Sequence, residues 1–308
     1  MAIHQEGRIA EIDYLKCVFI LLMITFHLTY IGHQYPYLKQ IVYTFHMPAF
    51  LIMSGYFVSA SKPLSKEIHD LGKLFIPYMA MEICYTTAAA YLPVTDHIDR
   101  LSPWIIMRNT LLTPLGPYWY LHTFILCSAS YYLIMRKSTI HRFLLLGILL
   151  YIFSAVCHIV SFSNACYFLA GAAIKNSGMS FLRFFRASPF SAIPVIIVTI
   201  FYPQYWDKCQ AIGILMIYLI ISILLCVYPY IHRRLRHRMQ FIGRHTLCIY
   251  LLSPVFTGLS KLYQSSFIAL DSTGILFLTV SLGITIAGSL VITEVLRRIG
   301  NLIPWYDN

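Results

Sequence analysis

The chain is 308 residues long, 58% hydrophobic and only 11% charged, with a formal net charge of +11. That balance excludes a soluble globular domain and indicates a polytopic membrane protein. The basic excess is not interleaved with aromatics as in a nucleic-acid groove. It fits attraction to membrane lipids, so no nucleic acid is expected as a partner.

Apolar windows of about 17 to 22 residues predict an all-α fold, a membrane helix bundle with spans near 12–32, 41–60, 74–93, 118–135, 143–161, 164–176, 189–204, 210–230, 241–258 and 274–295. These form a single integral-membrane domain over 1–308. The first span follows "MAIHQEGRIAEID" and lacks a small-residue cleavage site, so it is expected to stay in the protein. The segment 94–117 is expected to hold an interfacial or re-entrant helix. "HRRLRHR" reads as a juxtamembrane loop. The eight cysteines are scattered through the spans without a C-x-x-C pair, so neither a disulfide framework nor a metal site is expected.

The positive charges test this count, because short cytoplasmic loops carry the Lys and Arg excess. With ten spans and both termini inside, seventeen basic residues fall on the cytoplasmic side, among them Lys62, Lys66, Lys73, Arg136, Lys137 and Arg244. Five fall outside: Lys39, Arg100, Arg108, Lys208 and Lys261.

A charged side chain at mid-membrane costs about 2.5–3.5 kcal/mol on insertion scales, so the polar residues within spans need a reason. Asp13 and Lys16 open the first span, and His27 follows roughly 16 Å deeper. At about 100° per residue the three share one helix face. The second span runs the opposite way, and His46 descends roughly 8 Å from the outer surface, the depth reached by His27. Two histidines at matched depth point to a common site. Glu82 near mid-membrane, and Trp119 and His122 in "PYWYLH" near the outer face, are further candidates. His158 and Glu294 read as interfacial.

"RIAEIDYLKCVFILLMITFH" followed by "FHMPAFLIMSGYF" resembles the acyltransferase 3 family of bacterial integral-membrane O-acyltransferases, especially members similar to fucose O-acetylases and surface-polysaccharide O-acetyltransferases. The family's first helix carries a basic residue, ten residues, then His, and Lys16 and His27 fit. Phe45-His46-Met47-Pro48 and Ser54-Gly55-Tyr56 match its second helix. Weaker similarity extends over 73–79, 118–121 and 241–253. The chain departs from the family in having no R-x-x-R before the third span, and in Ser253-Pro254 where His often follows the I-Y-L-L phrase.

The resemblance implies a bacterial inner-membrane enzyme that moves an acetyl group from cytoplasmic acetyl-CoA to a hydroxyl of an exopolysaccharide, lipopolysaccharide or other envelope glycan. Lys16, Lys66 and Lys73 would hold the CoA phosphates. His27 would be the general base. Three roles are open to His46: orienting His27, stabilising the oxyanion, or protonating the leaving thiolate. Asp13, Glu82, Trp119 and His122 are the candidate substrate-binding residues. The competing reading is a transporter or flippase using intramembrane His and Glu, although neither repeats nor paired broken helices are visible.

Overall fold

The computed structural model describes residues 8–91, 97–136 and 141–300. Lys137 and the end of the third window, 92–93, lie outside the described residues. Among the described residues the fold is helical throughout, without strands. In chain order the helices are α1 (Ala10–His27), α2 (Thr29–Gln34), α3 (Pro36–Phe57), α4 (Leu64–Ala89), α5 (Pro103–Leu111), α6 (Trp119–Met135), α7 (Arg142–Ala155) and α8 (Phe162–Asn176). They continue with α9 (Phe181–Phe184), α10 (Ala192–Phe201), α11 (Ala211–Val227), α12 (Arg233–Arg244), α13 (Thr246–Leu259), α14 (Gln264–Leu270) and α15 (Ile275–Gly300). Among the described residues each of the ten apolar windows overlaps a helix, although the fifth runs past the end of α7 at Ala155. Two stretches are long and apolar enough to cross a membrane by length and composition, Ala211–Tyr230 and Ile275–Ile299.

Four details differ from the sequence reading or refine it. The first window is not one helix: Leu28 adopts an extended conformation (φ −69°, ψ 109°), which ends α1 at His27. The ninth window breaks at His245, where ψ is 18°. The basic segment expected as a loop is helical. Arg236, Met239, Gln240 and Gly243 turn inward from α12 while Arg233, Arg234 and Arg238 stay exposed, which is the spacing of one helix face. The segment 94–117 does contain a helix, α5. Ser102 caps it by accepting from the Ile105 N–H at 3.2 Å, and Pro103 occupies a first-turn position.

The chain divides into two compact units, Met1–Phe50 with Leu182–Asn308, and Leu51–Phe181. In the first, α1 is the core helix: Ile12, Leu15, Cys17, Phe19, Ile20 and Ile24 are buried. Phe19 meets the rings of Phe45 and Phe50 edge-on, each at 6.0 Å. Here α1 packs on α12, and a Cβ at Gly243 would lie 1.8 Å from the Asp13 carbonyl oxygen. Only glycine permits that approach.

In the second unit the end of α3 packs on α8 through a reciprocal pair. A Cβ on Gly55 would strike the Phe168 carbonyl at 2.0 Å, and one on Gly171 the Ile52 carbonyl at 1.9 Å. Gly55 and Gly171 thus let the two helices approach at backbone distance. The adjoining core is built from Cys127, Tyr131, Leu146, Leu150, Phe168 and Ala172. The Tyr56 hydroxyl accepts from the Phe181 N–H at 3.1 Å.

Candidate active site

The two histidines of the first unit share one local geometry. Nδ1 of His27 bonds the Met23 carbonyl at 2.7 Å, and Nδ1 of His46 bonds the Val42 carbonyl at 2.7 Å, each one turn back along its own helix. A peptide carbonyl can only accept, so Nδ1 of each ring carries the proton and Nε2 of the neutral ring holds the free lone pair. Both imidazoles are therefore set to take a proton at Nε2.

Tyr43 lies between them. Its ring centroid is 6.1 Å from that of His27 and 5.3 Å from that of His46. Its hydroxyl donates to the Phe26 carbonyl at 3.2 Å, tying α3 to the last turn of α1. Lys39, one turn before Tyr43, places its ammonium 5.4 Å from the tyrosine centroid. The two rings differ in access. His27 is exposed, whereas His46 is buried and its Nε2 has no hydrogen-bond partner among the described residues. Pro48, inside α3, deprives the Thr44 carbonyl of its helical donor close to His46.

At the opposite end of α1, Asp13 is buried and ringed by cations. Arg8 Nε stands at 3.0 Å, Arg244 Nε at 3.5 Å and Lys16 Nζ at 4.0 Å from its carboxylate. Arg244 reaches this position because Gly243 lets α12 approach α1 so closely. Three cations around one carboxylate leave a net positive cluster on the side of α1 remote from His27.

The other sequence-derived candidates fall in the second unit. Lys66 is exposed and Lys73 half-buried, two turns apart on one face of α4. Glu82 is buried. Its Oε1 accepts from the Leu115 N–H at 2.6 Å and from the Thr86 hydroxyl at 3.4 Å. His122 donates from Nε2 to the Leu111 carbonyl at 3.0 Å. Glu82 and His122 thus grip the segment 111–115 from two sides, and Trp119 begins the helix that follows it. The sequence reading did not single out Tyr43, Lys39, Arg8 or Arg244. The i, i+3 and i, i+4 spacings of Tyr43 with His46 and Lys39 were the one available signal.

A helical chain with membrane-length apolar helices, paired histidines prepared to accept a proton, and a cationic cluster at the far end of the same helix has the parts of a membrane-bound group-transfer enzyme. The family follows from comparison: the model of the acyltransferase 3 family, described as an acyltransferase domain, matches residues 9–294, and the chain belongs to that family. It is a membrane-associated acyltransferase. No curated protein and no solved structure matches the chain.

Proposed function

We propose that the enzyme transfers an acetyl group from cytoplasmic acetyl-CoA to a hydroxyl of an envelope glycan, across a ten-span bundle of the bacterial inner membrane with both termini cytoplasmic. The observation that carries the chemistry is His27: an exposed imidazole whose Nδ1–H is anchored on Met23, leaving Nε2 basic. The sugar hydroxyl attacks the thioester carbonyl as Nε2 takes its proton, and the tetrahedral oxyanion collapses with loss of the CoA thiolate. That thiolate recovers the proton from the imidazolium, which restores neutral His27 and releases CoA thiol and acetyl ester. His46, Nδ1-anchored in the same way and in contact with the same Tyr43 ring as His27, is the partner that orients it or stabilises the oxyanion.

At the cytoplasmic end, Lys16 and its neighbours Arg8 and Arg244 supply charge for the CoA phosphates, with Asp13 holding the cations in place. The strong bias of Lys and Arg toward alternate loops supports the orientation. Purified protein given labelled acetyl-CoA and an envelope oligosaccharide should form an acetyl ester at a rate that His27→Ala lowers by about 10²–10⁴-fold at normal expression. Mass spectrometry of glycans from a deletion strain should show a missing acetyl ester. Glycan transport without acyl transfer from acetyl or succinyl donors would instead establish the transporter reading.

A further inference from the structure

The second unit holds a cavity of about 550 Å³ that the chemistry at His27 does not use. Its wall brings together Trp119, His122 and Thr123 of α6, His158 and Ser161 from the turn after α7, and Asn164 of α8. Among the described residues that line it there is no Asp, Glu, Lys or Arg. A charged ligand would lose hydration there without a counter-charge to replace it. Hydroxyl, amide and imidazole groups instead match a neutral ligand rich in hydroxyls. The half-buried indole of Trp119 and the exposed ring of Phe162 add flat apolar faces of the kind that stack on a sugar ring. The volume falls in the range of ordinary small-molecule sites.

A second observation falls on the same wall. Among the described residues, His158 is the one non-glycine with a left-handed backbone, at φ 54°. The turn that ends α7 demands that conformation: the Cys157 N–H bonds the Ile152 carbonyl at 3.1 Å and the Ile159 N–H bonds the Phe153 carbonyl at 3.0 Å. Glycine would meet the demand without strain. The imidazole held at this position, where glycine would be less strained, is exposed and lines the cavity. His122, buried across the cavity, donates from Nε2 to Leu111 and so keeps Nδ1 as an acceptor.

We propose that this cavity is a carbohydrate subsite binding a neutral sugar of the acceptor chain, with His158, Trp119 and Asn164 as contacts. The assignment rests on the glycan-acceptor reading above. The test uses full-length protein in nanodiscs with maltotriose and chitotriose as neutral probes and a uronic-acid trisaccharide as the charged comparator, read by saturation-transfer NMR. The variants are Trp119→Ala, Asn164→Ala and His158→Gly. The last relieves the backbone strain while removing the imidazole, so its melting temperature should not fall. Each variant is expected to bind the neutral probes roughly tenfold more weakly, and in acyl-transfer assays to raise the acceptor KM while retaining kcat. A wild-type protein that binds neither neutral probe, or prefers the charged one, overturns the proposal, as does unaltered binding in stable His158→Gly and Trp119→Ala proteins. Probe binding that the variants lose, without acyl transfer from any donor, keeps the sugar site and removes the glycan-acylation reading. Transfer to a glycan with acceptor KM unchanged in all three variants does the reverse.

Discussion

At the scale of single residues, the decisive feature is the atom to which each imidazole gives its proton. Bonds from Nδ1 of His27 and His46 to Met23 and Val42 fix both tautomers before any substrate arrives. Accessibility then separates the two, since the buried ring of His46 is poorly placed to meet a substrate hydroxyl. Replacing His27 with Ala is accordingly expected to lower kcat by about 10²–10⁴-fold, the usual worth of a positioned general base. Steady-state transfer assays check this. Tyr43 is a spacer whose ring and hydroxyl act separately. Tyr43→Phe keeps the ring between the histidines and loses only the bond to Phe26, a net of about 0.5–1.5 kcal/mol. Transfer should therefore fall by tenfold or less, whereas Tyr43→Ala, which also removes the spacer, should fall further. Equal losses in the two variants would show that the hydroxyl takes part in the chemistry.

Asp13 presents a different balance. Its carboxylate is buried, but Arg8 and Arg244 are 44% and 40% exposed, so water screens much of the attraction. Asp13→Asn is expected to cost about 1–2 kcal/mol, between the values for surface and buried pairs. A lower melting temperature of the detergent-solubilised protein would register it.

At the scale of elements, the cationic end of α1 depends on two helices touching at backbone distance. A methyl group at position 243 would sit 1.8 Å from the Asp13 carbonyl oxygen, and rotating a side chain cannot relieve that clash, because the obstacle is main chain. Gly243→Ala should push α12 from α1, destabilise the protein by about 1–3 kcal/mol as overpacking does, and withdraw Arg244 from Asp13. A melting temperature and acetyl-CoA KM both at wild-type values would refute this coupling. The same contact explains why α12 was hard to read. Its arginines dominate average hydropathy, while its inward face consists of Arg236, Met239, Gln240 and Gly243 rather than an apolar stripe. Arg236 and Gln240 each donate hydrogen bonds to the turn before α12. Arg236 bonds the Pro229 and Ile231 carbonyls at 3.0 Å each, and Gln240 the Tyr228 hydroxyl at 2.7 Å. Such a helix is held by hydrogen bonds that no hydropathy window detects.

At the scale of the molecule, hydropathy located helices well and interruptions poorly. Among the described residues each apolar window overlaps a helix because in a bilayer the backbone must satisfy its own hydrogen bonds, and apolar length alone signals this. The breaks at Leu28 and His245 involve neither Pro nor Gly at the break itself, and a change in one residue's ψ leaves hydropathy untouched. That both histidines meet a common neighbour fits the residue count along the first two windows, and the approach of Lys16 to Asp13 fits their i, i+3 spacing. Tyr43 was not legible, since a tyrosine in an apolar helix looks like packing. Arg244 was not, because its partner lies far away in sequence and only the close approach of α12 to α1 unites them.

The proposed orientation makes a demand that the cysteines can test. Cys209 is exposed and lies between the windows 189–204 and 210–230, in a loop assigned to the outside. Cys17 and Cys127 are buried. A membrane-impermeant maleimide added to intact spheroplasts should therefore label Cys209 and spare both buried thiols. Because Cys84, Cys157 and Cys166 are exposed as well, they are replaced by Ser together with Cys209, and in that background an introduced Arg234→Cys, on the exposed face of α12, should react only after the membrane is opened. The discriminating power comes from parity: removing one span between positions 209 and 234 would bring both to the same side, whereas losing the paired sixth and seventh spans would not. Equal labelling of Cys209 and Arg234→Cys in sealed spheroplasts would reject an odd number of crossings between them, and with it the separation of a cytoplasmic thioester donor from an external glycan. Protection of Cys209 with labelling of Arg234→Cys would invert the protein and place the cationic cluster on the wrong side for CoA.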